Sequence, residues 1–325
     1  MSLTKLENGL LATPLIGSGL DVFSAGNVWF VDGDSGSNGN TGASPDFAKS
    51  TIQSAVTAAV KDGGVIYIKA RDMGSTASDP VDYAETVIIP AGSSRMALIG
   101  VSGSRAQGGL PQIKKGSGST ALLTVRAPGC LIANLGFNGT SATGGGILLE
   151  SDGGSTKDSF GTTIMGCHFK NCVGSTATNA ATGGAIQLSG APWQVLIKGN
   201  RFYKNVGGIV LKDTTTSVPQ DLVIESNSFG DSAASVDCDI YLAGGGGPGV
   251  GLLIRGNDFG TLPALASGSN VRWMDLTGAD GGIVCGNFFG NDLLHGAAGS
   301  GSKIPTTVFF SGNFDAGASG FATVA

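Results

Sequence analysis

The sequence predicts an all-β fold, a single-stranded parallel solenoid with an N-terminal arm and one capping helix. Three observations predict it. The first is a repeat. An aliphatic residue is followed five positions later by phenylalanine in Ile132…Phe137, Ile164…Phe169, Ile197…Phe202, Ile224…Phe229, Ile254…Phe259 and Val284…Phe289. The phenylalanines are spaced 32, 33, 27, 30 and 30 residues apart, inside the range of roughly 20–50 residues that marks solenoids and propellers. The second is asparagine three residues after the aliphatic position, at Asn200, Asn227, Asn257 and Asn287. The third is composition. Glycine accounts for 56 of 325 residues and charged side chains for only 13%, while short β-rich runs alternate with glycine turns and show no helical period. Solenoids use glycine at tight corners, and 41% hydrophobic content argues against disorder.

Each part of the repeat has a physical role. In VLIKGNRFYKNVGGIVL (195–211), the strand 196–198 leads into Gly199-Asn200, Phe202 follows, a polar corner comes at Lys204-Asn205, and Gly207-Gly208 opens the strand 209–211. Asparagine tolerates the left-handed backbone that a sharp corner needs. Equivalent corners of a parallel coil stack about 4.8 Å apart, so the four asparagine amides are expected to hydrogen-bond as a ladder. Leu135 and Cys167 hold that position earlier in the chain, which confines the ladder to the later coils. Phe137, Phe169, Phe202, Phe229, Phe259 and Phe289 are expected to form a core stack.

Taken in order, residues 1–27 are apolar, glycine-punctuated and without period, and read as an extended arm lying on its own domain or on a neighbour. Residues 28–31 are a strand. The following DGDSGSNGNTGASP fails as a calcium loop, because Gly36, Ser37 and Ala43 stand where an EF-hand needs an oxygen ligand, glycine and glutamate. It reads as a turn-rich loop. Residues 46–60 are predicted as a helix with Phe47, Ile52, Ala55, Val56 and Ala59 on one apolar face. One helix ahead of a solenoid serves to cover its open end. Strands at 65–69, 83–90 and 96–100 follow, and from 121 onward coil succeeds coil, about nine in all, for a rod of about 45 Å. The β-helix domain is placed at 28–315 and a C-terminal tail at 316–325.

The order VWFVDGDSGSNGNTGASPDFAKSTIQSAV, GGVIYIKA, YAETVIIPAG and MALIGVSG, followed by the GN-x-F repeats, resembles right-handed parallel β-helix proteins of the pectin-lyase-like superfamily, across roughly residues 28–315. That group includes polysaccharide lyases, glycoside hydrolases, epimerases, bacterial surface proteins and phage spikes. The opening MSLTKLENGLLA also looks like the starts of some phage structural proteins. The resemblance therefore implies the fold and leaves the function open.

Sugar-cleaving members need carboxylates on an exposed strand face: two for hydrolysis, or an Arg or Lys base with acid-bound calcium for elimination. The Asn-Thr-Asp, Asp-Asp, Gly-His-Gly and Arg-x-Lys elements of the polygalacturonase-like pattern are missing from this sequence. The candidate acidic pairs are Asp237 with Asp239, flanking Cys238, and Asp275 with Asp280. Glu225 and Arg255, one coil apart, are expected to form an outward ion pair. Isolated carboxylates are ordinarily solvated surface charges. The two histidines, His168 and His295, form no metal cluster with the cysteines, so no metal or cofactor is expected. Asn138-Gly139-Thr140 matches a glycosylation sequon. Net charge −5 and the lack of any basic run predict no nucleic-acid partner. No apolar run approaches the length of a membrane span. Five cysteines without a CxxC pair read as buried free thiols, and no secretion signal is found. The expected function is a structural virion protein of a tailed phage: a capsid decoration, head appendage or tail-spike component. It would be held by its arm to other virion proteins, homotrimeric, and in contact with cell-surface polysaccharide. The alternative is a polysaccharide-binding or polysaccharide-degrading enzyme.

Overall fold

The computed structural model describes residues 28–59, 63–72, 81–101, 109–114, 118, 120–140, 144–151, 157–173, 184–190, 192–211, 219–230, 238–242, 250–260, 272–290, 302–316 and 320–322. The arm at 1–27 lies outside the described residues. The strands form three sheets. Sheet 1 has ten strands, from Val28–Val31 to Val308–Ser311. Sheet 2 has nine, from Gln112–Ile113 to Gly320–Ala322. Sheet 3 has seven, from Val87–Ile89 to Arg272–Asp275. The chain visits the sheets in turn, and each strand pairs in parallel with its counterpart one coil away. In sheet 1 the register aligns Ile132, Ile164, Ile197, Ile224, Ile254 and Val284. The fold is thus a parallel β-helix.

Local chemistry explains the coil. Strands alternate faces, so Ile197 points inward while Leu196 and Lys198 face out. Seven corners between sheets 1 and 2 follow one plan: a residue with positive φ, then an inward side chain. The left-handed residue is Asn134, Gly166, Gly199, Ser226, Gly256, Gly286 or Gly312. The strain thus falls one position before the ladder asparagine, not on it. Glycine takes φ of +60° and +62° at 256 and 286 without a Cβ penalty, which leaves the asparagine free to turn its amide into the core. A second left-handed position recurs just before the sheet 1 strands, at Arg95, Gly129, Gly161, Gln194, Asp221 and Gly251.

Inside the coil the phenylalanines stack. Phe137–Phe169, Phe169–Phe202, Phe202–Phe229, Phe229–Phe259 and Phe259–Phe289 have ring centroids 5.0, 5.1, 4.5, 4.9 and 5.0 Å apart, all near parallel. The rise between strands places identical rings at van der Waals distance. The asparagines form a buried ladder. The Asn257 amide donates to the Ile224 carbonyl at 3.0 Å and to Asn287 Oδ1 at 2.9 Å. Its own Oδ1 accepts from the backbone and side-chain N–H of Asn227, each at 3.0 Å. The ladder runs on to Asn313, which accepts from Asn287. At its upper end Asn200 Oδ1 accepts from the Cys167 N–H. The Cys167 thiol points at the Ile132 carbonyl at 3.7 Å, as the Asn200 amide points at that of Ile164. A thiol thus stands in for an amide one coil above. The next corner repeats the arrangement, with the Asn205 Oδ1 accepting from the Cys172 N–H at 2.8 Å.

The ends are built differently. A 3-10 turn covers Pro45–Phe47 and the α-helix covers only Ile52–Ala59. The predicted helix 46–60 is therefore too long, and Phe47 is exposed rather than packed. The chain is held extended at Lys49, which bridges to Val31, and Asn38 Oδ1 binds the Ser50 and Thr51 N–H groups. The helix starts where Glu85 caps it, accepting from the Ile52 and Gln53 N–H groups at 2.8 and 2.9 Å. Burial pushes the Glu85 carboxyl above its usual range, against those two amides. At the other end, within the predicted tail, Gly320–Ala322 pairs antiparallel with Asn313–Asp315.

Candidate functional site

The outward face of sheet 1 is the surface with most chemistry. Its register defines two rows. One row runs Val28, Val65, Ala97, Leu131, Thr163, Leu196, Val223, Leu253, Ile283, Phe309. It is apolar along the rod except at Thr163. The other runs Phe30, Tyr67, Ile99, Ala133, Met165, then Lys198, Glu225, Arg255, Cys285, Ser311. It changes from apolar to polar halfway.

At the apolar end, Phe30, Tyr67, Val65, Ala97 and Ile99 are buried with Ala48 in a cluster of their own, separate from the coil interior. A groove of about 230 Å³ opens beside them, between Phe30, Pro45, Tyr67 and Val101, with Asp32 and Lys69 among its walls. Asp32 and Lys69 are paired at 2.8 Å. The groove is large enough for an aliphatic side chain and has no uncommitted charge among these walls.

In the middle, three coils converge on one carboxylate. Glu225 binds Lys198 at 2.5 Å and Arg255 at 2.6 Å. Lys198 first, and then Arg255, hold its carboxyl below the usual range, against burial that pushes it up. The expected Glu225–Arg255 pair is therefore a triad with Lys198. Glu150 repeats the device on sheet 3, held by Arg126 at 2.7 Å and Lys157 at 2.8 Å. A carboxylate locked between two cations is a poor proton acceptor, so these groups tie coils together rather than supply a base.

Of the candidate acidic residues, Asp239 and Asp275 are buried and Asp280 is exposed. Asp237 lies outside the described residues. Asp239 is 3% exposed, which corrects the expectation of an open acidic strand face. It stands where the preceding coils place Gly146, Ala185 and Gly208, at the start of the sheet 3 strand, and its carbonyl accepts from the Gly208 N–H. That site is tight: a Cβ on Gly208 would come within 2.8 Å of Phe229. Asp275 accepts from the Thr277 hydroxyl at 2.8 Å and faces Lys303 at 3.5 Å, while Asp280 is exposed at the turn. His168 is buried on sheet 2, and His295 lies outside the described residues. Asn138 is buried and its Oδ1 accepts from the Thr140 hydroxyl. Cys130, Cys167, Cys172 and Cys238 are buried free thiols, and Cys285 is half-buried. Burial pushes the thiols of Cys130, Cys167 and Cys172 up to about 12. Among the described residues no group of three His, Cys, Asp or Glu is placed to hold a metal ion, and no helix is long and apolar enough to cross a membrane.

The last coils carry a feature that the repeat did not signal. Ile283 and Phe309 are 45% and 65% exposed on sheet 1, and Phe288 and Phe314 are 42% and 41% exposed on sheet 2. The two outward rings of Phe288 and Phe314 stack at 5.6 Å.

No protein-family profile matches the chain, and no curated protein matches it in sequence. Two solved structures are similar to it in shape: the selenomethionine and native forms of a GH136 lacto-N-biosidase from Eubacterium ramulus. They share 10% and 11% identity, cover 89% and 88% of this chain and 67% and 68% of their own, and give TM-scores of 0.35 and 0.33. At these scores the likeness carries nothing over to this chain.

Proposed function

We propose that this chain is a structural protein of a tailed-phage particle: a capsid decoration, head appendage or tail-spike component. It attaches to other virion proteins through residues 1–27, and its copies assemble in threes. The observation that carries this reading is how the rod spends its outward ionisable groups. Glu150 and Glu225 each sit between two cations, and Asp275 faces Lys303. The Arg126–Glu150, Lys198–Glu225, Arg255–Glu225 and Lys303–Asp275 links tie one coil to the next, as a load-resisting rod requires. A glycan-cleaving site needs the opposite, an acid and a base held apart from structural partners. The apolar row along sheet 1 supports an assembly role, since long apolar surfaces mark contacts. Residues 1–27, apolar and without period, suit an attachment arm.

The test is localisation. Particles carrying this chain are purified, and copy number and position are read by mass spectrometry and electron microscopy. Many copies over a shell, or a few at a vertex or tail, support the reading. A chain that fractionates away from particles and depolymerises polysaccharide overturns it.

A further inference from the structure

Four large apolar side chains of the last two coils, Ile283, Phe288, Phe309 and Phe314, remain exposed on the sheet faces, whereas the stacked phenylalanines from Phe137 to Phe289 are buried. They flank one corner. Ile283 and Phe309 are adjacent on sheet 1, and Phe288 and Phe314 are adjacent on sheet 2, on either side of Asn287 and Asn313. Taking about 200 Å² for a phenylalanine, their exposed parts amount to roughly 400 Å² per copy. A monomer's apolar patch of that size commonly marks a contact. It also matches the apolar share of a standard half-interface of about 800 Å².

The charges around the patch select the partner. One coil above, Arg255 flanks the corner on the sheet 1 side and Asp258 on the sheet 2 side, both exposed. The Lys198–Glu225–Arg255 group carries one surplus positive charge. Sheet 1 of one copy is therefore complementary to sheet 2 of another, and not to itself. A two-fold contact of like faces would set Arg255 against Arg255. A three-fold axis parallel to the rod keeps every residue at its own level. It sets Arg255 against Asp258, and Ile283 and Phe309 against Phe288 and Phe314, in the same rungs. Further up, Lys198 and Arg201 share a coil on the same two faces. Arg201 on sheet 2 and the single surplus positive charge of the Lys198–Glu225–Arg255 group on sheet 1 are alike in sign, which opposes contact there and confines it to the C-terminal coils.

Resting on the reading that copies assemble, we infer that the corner between sheets 1 and 2 in the last three coils is a three-fold contact with two further copies of this chain. The test is sedimentation equilibrium on the full-length chain at micromolar concentrations. A trimer is expected. Phe288→Ser with Phe309→Ser should raise its dissociation constant at least a hundredfold, at roughly tenfold or more per side chain, with the β-type circular dichroism unchanged. Two charge variants test the same surface without touching its apolar core: Asp258→Lys should weaken the trimer, and Arg201→Asp should strengthen it. A wild-type monomer or dimer overturns the inference. So does a trimer whose dissociation is unmoved by Asp258→Lys and Arg201→Asp. Neither result bears on attachment to a particle, which localisation decides.

Discussion

The two halves of the rod reach order by different routes. From Phe169 to Asn313 one coil is a near copy of the next. Ring stacks on ring, amide bonds to amide, and each coil's corner has a left-handed residue followed by an inward side chain. Among the described residues before Phe137 the stack and the ladder are missing. There the structure relies on single solutions: Glu85 capping the helix, Tyr83 donating its hydroxyl to the Lys69 carbonyl at 2.7 Å, and an apolar cluster closed by Ala48. Repetition makes each contact serve two coils, so that damage in the middle is felt on both sides. A single solution fails alone.

The largest effect should separate the middle of the stack from its end. Phe229 lies between Phe202 and Phe259, whereas Phe137 meets a ring only at Phe169 among the stacked phenylalanines. Phe229→Ala is expected to cost about 4 kcal/mol, in the range of buried phenylalanine truncations, and Phe137→Ala about 1 kcal/mol less. Urea denaturation of both variants measures the gap, and equal losses would show that stacking adds nothing beyond burial.

Next comes the ladder. Asn257→Ala removes two donated and two accepted hydrogen bonds and strands the Asn227 N–H in the core. The expected loss is about 3 kcal/mol, from the cost of buried unsatisfied groups, read from the same denaturation midpoint.

A smaller effect follows pH. Glu225 is held below its unfolded pKa, so its stabilisation is complete above the ordinary carboxylate range and is lost as pH falls through the folded value. Lys198 and Arg255 are about half exposed, which screens the pair and limits its worth to about 1 kcal/mol. Glu225→Gln should therefore lower stability at neutral pH and flatten its acid limb. Thermal melts from neutral to acid pH test this, and identical limbs would remove the triad from the stability account.

The smallest change sharpens the boundary between the halves. The Cys167 thiol already points at the carbonyls of Ile132 and Met165. Cys167→Asn replaces this weak thiol rung by an amide, and should add about 0.5–1 kcal/mol, the net value of a buried hydrogen bond. A raised melting temperature shows that the ladder stops at Asn200 for want of an amide. A lowered one shows that the corner lacks the room.

By itself the sequence determined the coil. A period near thirty residues, an aliphatic residue, a corner asparagine and a phenylalanine at constant spacing are local patterns, and parallel stacking follows because each coil must bury the same face as its neighbour. What only the tertiary structure decided depends on partners outside any one repeat. The left-handed strain falls on Gly256 and Gly286 rather than on the asparagines after them, because the amide is needed inside. The helix starts at Ile52 because Glu85, more than thirty residues away, caps it. Asp239 is buried because its coil places it where the preceding ones place small residues beside the phenylalanine stack. Phe288, next to the buried ring of Phe289, and Phe314, next to the buried Asp315, face outward because pairing register, set across coils, decides which side of a strand meets water.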